Sequence, residues 1–115
     1  MFVAKLVTAG VPTPATGYVY PADVLTTVAG RFDARPVYLA EQLTRAVGEA
    51  SDWAFREGAL YATLVLYHAR ALADLRAGRK VARPDWLCRA GSDRTVQSVV
   101  DIRCVVLREP LPGET

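Results

Sequence analysis

The sequence predicts an α+β fold: a small, mostly antiparallel sheet or partly open barrel with two short helices. Three observations lead there. Alternating apolar stretches dominate the chain, Pro and Gly punctuate it at short intervals, and only two windows combine helical spacing with a start and a stop.

The first strand is "FVAKLVTA", residues 2–9, and "GVPTPATG" breaks it, because prolines remove ladder donors and glycines supply turns. Pro21 suits the first position of a helix, where a missing N–H costs nothing, and Val24, Leu25 and Val28 then share one helical face that Gly30 ends. "RPVYLA" reads as a short strand. "AVGEASDWAF" and "ALYATLVLY" flank "REG", a loop with glycine where a positive φ is wanted, and together read as a hairpin. Residues 69–77 are rich in Ala, Leu and Arg, with Leu72 and Leu75 three apart and Gly78 as a stop, which predicts the second helix. "KVARPDWL" is strand-like, "RAGSD" a turn, and "TVQSVVDIRCVVL" the longest apolar strand signal in the chain. The tail "REPLPGET" carries the prolines of an extended arm. One domain over residues 1–107 and a C-terminal arm over residues 108–115 follow.

Composition narrows the function classes. The 14 basic and 12 acidic residues give a formal charge of +2 and are interspersed, so the footprint of a nucleic-acid binder is missing. Arg76, Arg79, Lys80 and Arg83 form the densest basic cluster, which reads as a solvated helix end. Apolar runs are too short for a membrane span, and Lys5 inside the first run is wrong for a signal peptide, so the expected compartment is the cytoplasm in which the chain is made. Cys88, Cys104 and the single His68 lack metal-ligand spacing, so no cofactor or metal is expected and both thiols read as packing residues. Cys104 is expected to share one strand face with Ile102 and Val106.

The hairpin strand shows Leu60, Ala62, Leu64 and Leu66 on one face and Tyr61, Thr63, Val65 and Tyr67 on the other, both largely apolar. Either the helices cover the second face or it meets a partner, with Trp53, Tyr61 and Tyr67 as aromatic anchors.

In order, "VTAGVP", "GYVYP" opening a helix with "ADVL", "PVYLAEQ", "AVGEASDWAFREGALYATLVL" and "VVDIRCVVL" resemble the prohead proteases of tailed bacteriophages and their non-proteolytic relatives in capsids. The resemblance runs from Met1 to about Leu107. It implies a catalytic histidine after "PVYLAEQ", where this chain has Glu41 and Gln42, and a catalytic serine within the segment that reads "VARPDWLCRAGSDRTV". An amide has no proton-accepting pKa near neutrality, so Gln42 cannot be a general base. Ser51, Ser92 and Ser98 then read as turn, loop and strand residues, and the Tyr-Pro corner at Tyr18, Tyr20 and Pro21 as scaffold.

The implied function is a non-enzymatic capsid cement or decoration protein, located in the virion capsid. It would bind the phage major capsid protein and assemble as a homo-oligomer, with a trimer favoured. Trp53, Tyr61, Tyr67, Leu107 and Leu111 are the expected contact residues. The alternatives are a maturation serine protease using His68 with Ser92 or Ser98, and a generic cytoplasmic interaction domain.

Overall fold

A computed structural model describes residues 1–112, and its architecture is the α+β one the sequence predicts: two short helices and one strongly curled, six-stranded half-barrel sheet. The elements run β1 (Phe2–Thr8), α1 (Ala22–Val28), β2 (Arg35–Leu39), β3 (Gly48–Arg56), β4 (Ala59–Leu66), α2 (Ala69–Arg76), β5 (Val81–Ala90) and β6 (Val96–Arg108). Their order across the sheet is β1-β4-β3-β2-β6-β5. Neighbours are antiparallel except β2 and β6, which run parallel.

Local chemistry accounts for the turns. Glu57 and Gly58 join β3 to β4 with φ of 51° and 76°, the double left-handed turn whose twist matches a tight hairpin. Pro21 stands one residue earlier than expected, as the extended N-cap of α1, with Val24, Leu25 and Val28 buried beneath it. In α2 the buried pair is Ala71 and Leu75, four apart, and Leu72 is only partly covered. Pro84 is tolerated within β5 because β5 is an edge strand.

The core fills the concave side, with Leu25 and Val28 of α1 among the same cluster as Val37, Leu60, Leu64, Ile102 and Leu107. Strand β6 departs from simple alternation. Its pairing with β5 slips three times, and the residues passed over are Gln97, Val100 and Arg103. Each bulge adds one residue and bends the strand, so the core positions recur every third residue: Val96, Val99, Ile102 and Val105, each at most 1% exposed. This corrects the expectation of a shared face for Ile102, Cys104 and Val106. The bulge at Arg103 reverses the faces, leaving Ile102 in the core cluster while Cys104 and Val106 are buried outside it.

Candidate functional site

The Tyr-Pro corner closes the open side of the half-barrel, where edge strands β1 and β5 face each other across a seam. Gly17 adopts φ +74°, and a side chain there would crowd Arg94 Nη1 at 3.3 Å. Arg94 Nη1 donates to the Thr16 carbonyl at 3.0 Å, and Val19 is held on both sides, donating to Arg94 O at 3.0 Å and accepting from Val96 N at 2.8 Å. Tyr20 is 7% exposed and lies against Trp86, with ring centroids 5.1 Å apart. The Trp86 indole N–H donates to the Tyr20 hydroxyl at 3.0 Å. Burial pushes the Tyr20 phenol up to about 12, so it stays protonated. Beside this pair a cleft of about 400 Å³ opens between β1, β5 and the loop of residues 11–16. Its two charged lining residues are Lys5 and Arg83.

The candidate catalytic residues are not brought together. His68 is the N-cap of α2, its Nδ1 accepting the Ala71 N–H at 3.2 Å. It follows β4, and β4 runs in the same sense as β6, so His68 lies at the sheet end where β6 finishes. Ser92 and Ser98 belong to the opposite end, where β6 begins. No hydrogen bond among the described residues joins His68 to either serine. Gln42 sits in the turn after β2, its backbone N–H bonded to Leu39 O at 3.0 Å. Neighbouring Glu41 pairs with Lys80 at 3.6 Å, and Arg79 with Asp74 at 2.9 Å, so both of these members of the basic cluster are engaged in ion pairs.

Neither thiol is activated. Burial raises the Cys88 pKa, and burial followed by the adjacent Asp85 carboxylate raises that of Cys104, whose Sγ lies 3.7 Å from Asp85 Oδ2. Both shifts favour the protonated, weakly nucleophilic form. No cluster of metal-ligating side chains occurs among the described residues.

The contact residues expected from sequence divide into two groups. Tyr67 is 67% exposed, and Tyr61 is half-buried beneath the Arg56 guanidinium, 4.3 Å from its ring centre. Leu111, in the arm, is 36% exposed; residues 113–115 of that arm lie outside the described residues. Trp53 and Leu107 must be corrected. Trp53 is 4% exposed, because the strand slips at Asp52, with φ 52°, and turns the indole inward, where its N–H donates to Asp33 O at 3.1 Å. Leu107 is fully buried, since β6 continues to Arg108 between β2 and β5. Both act through packing.

The sequence did not single out Val3. It is 48% exposed on the outer face of β1, directly beside Thr63, and with Val65 at 49% and Tyr67 it makes an apolar surface over two adjacent strands. Alternation within "FVAKLVTA" carried that signal. Both helices contribute to the concave core, so this outer face is the side of the hairpin that they leave uncovered.

Compared with known proteins, the chain matches no family model, no curated sequence and no solved structure. The order of its motifs therefore remains the ground of the phage resemblance. No helix among the described residues is long and apolar enough to cross a membrane.

Proposed function

We propose that this chain is a capsid cement or decoration protein, which binds the lattice of a phage major capsid protein and stabilises the shell by docking. The observation that carries the reading is the apolar outer face of β1 and β4, with Val3, Val65 and Tyr67 at least 48% exposed on a domain whose core lies on the concave side. An uncovered sheet face of this kind suits a protein that works in contact with others. Support also comes from the positions where the related proteases keep their chemistry. Gln42 stands where the histidine would, and the remaining base, His68, is engaged in capping α2 at the sheet end away from Ser92 and Ser98. A homo-oligomer bound at many equivalent points needs no single strong contact, because linked weak sites multiply.

The test is co-sedimentation with expanded empty capsids of the cognate phage. The intact chain should saturate the shell at a fixed ratio to the capsid protein, and the chain truncated after Arg108 should remain folded yet bind weakly. Absence of the intact chain from the capsid pellet refutes the reading. So does loss of capsid-protein processing when His68 or Ser98 is replaced by alanine, which promotes the protease instead.

A further inference from the structure

The outer face just described has a definite layout. Residues 2–5 of β1 pair with residues 61–64 of β4, and residues 48–51 of β3 with residues 63–66, in unbroken register; the slips come beyond Lys5 and beyond Ser51. These three strands therefore form a regular patch, with the bends displaced to its border. Thr63 is its centre, flanked by Val3 and Ser51. Two residues toward one end of β4 lies Tyr61, paired with Lys5, and two residues toward the other lies Val65, paired with Glu49. Lys5, which on edge strand β1 also borders the seam cleft, and Glu49 are both exposed, and neither makes an ion pair with any described residue.

The cation and the anion thus stand at opposite corners of a mixed patch in which Val3, Tyr61 and Val65 surround Thr63 and Ser51, each charge one strand across and two residues along from Thr63. From strand spacing and rise, each lies roughly 8 Å from that centre. We infer that this face is the interface between two copies of the chain, related by a two-fold axis that lies in the interface and passes Thr63. Such an axis, at right angles to the line from Lys5 to Glu49, carries each Lys5 over the partner copy's Glu49 and brings each Val3 beside the partner copy's Val65. The strands of the two sheets then cross at roughly 70°, near the orthogonal class of sheet packing.

A second copy is the occupant these charges specify. In a two-fold interface the same patch serves both sides, so equal distances from one central residue are required of the pair, and a partner of different sequence imposes no such condition. The inference rests on the docking reading in taking the face to be covered in use, and it gives that cover to a second copy, so that the capsid lattice is met by other surfaces of the pair. It replaces the favoured trimer with a dimer.

The test is sedimentation equilibrium of the purified chain without capsids, at about 100 µM, a concentration suited to a small interface. The expected species is a dimer. Lys5→Glu and Glu49→Lys should each weaken association about tenfold, since two rim ion pairs become two like-charge contacts. The double variant K5E/E49K should return association to near the original level. Both side chains are exposed, and circular dichroism checks that the variants fold. A monomer or a trimer at that concentration, unaffected single variants, or a double variant no better than the singles overturns the inference. A dimer that ignores capsids defeats the docking reading alone, and a monomer that saturates capsids defeats this inference alone.

Discussion

Replacing Tyr20 by phenylalanine removes one oxygen atom from the seam and should be felt twice. The Trp86 indole N–H loses the acceptor it meets at 3.0 Å, and the half-buried donor that remains costs about 1 kcal/mol, the low end of the range for an unsatisfied polar group. The second effect is a change in pH dependence. The Tyr20 phenol is pushed up to about 12 by burial, against an ordinary value near 10, so between those values the folded protein holds a proton that the unfolded chain has released. Stability must then fall as pH rises. For this one group the loss between pH 8 and pH 11 is about 1.4 kcal/mol, because at pH 11 the unfolded phenol is largely ionised and the folded one is not. Urea unfolding of wild type and Y20F at both pH values measures it. Wild type should lose about 1.4 kcal/mol more than Y20F over that interval, the difference cancelling every other titrating group. Parallel pH dependences would refute the claim that Tyr20 is desolvated at the seam, and equal stabilities at pH 8 would refute the role of its hydroxyl as the Trp86 acceptor.

Two further substitutions test single contacts. His68→Ala should lower stability by about 1 kcal/mol through loss of the α2 cap, and His68→Asp, which supplies another acceptor for the Ala71 N–H, should restore most of it; unchanged stability in the alanine variant, or no recovery in the aspartate one, contradicts the capping role. Gly48→Ala would place a Cβ 2.5 Å from both Leu66 Cδ2 and the Val65 backbone oxygen, so the hairpin must shift, at a cost of roughly 1–3 kcal/mol in urea unfolding; a loss below about 0.5 kcal/mol, the range of neutral surface changes, means the strands yield freely there.

How far the sequence disclosed this structure can be judged at particular residues. Turns and helix ends were legible because their chemistry is local: Gly30, Gly58 and Gly78 take φ of 75° to 76° where a stop or tight turn was expected. Strand faces were legible only while pairing stayed regular. In β4 the inward Leu60, Ala62 and Leu64 alternate with outward Tyr61, Thr63 and Val65 as read. In β3 one extra residue at Asp52 moves Trp53 from the expected surface into the core, and in β6 three slips convert a period of two into a period of three. A bulge is set by what the neighbouring strand and the closure of the barrel require, which a single strand's sequence does not carry. Leu107 was misplaced for a related reason. The arm was taken to begin where proline content rises, but β6 keeps its partners through Arg108, so the last apolar residue before the arm is core.

The perturbed groups bear on function because of the direction in which they are perturbed. Tyr20, Cys88 and Cys104 all move upward, with desolvation as the leading cause, so each is held in its neutral form. A thiol or phenol acting as a nucleophile near neutral pH needs the reverse, a neighbouring charge or donor that favours its ionised form. The one downward shift among the described residues, at Asp93, has its cause in the turn: its carboxylate accepts the Thr95 N–H at 3.0 Å and fixes the connection from β5 to β6. That connection presents Arg94 to the Tyr-Pro corner, so even the stabilised charge serves closure of the seam. Electrostatics and packing thus act on the same elements, and both hold the curled sheet shut along the seam while β1, β4 and β3 keep a regular outer surface. A surface backed by a buried core has less ordering to lose when it is covered by another chain. That is the physical link from the corner at Tyr20 and Pro21 to the docking proposed for the face that carries Val3, Val65 and Tyr67.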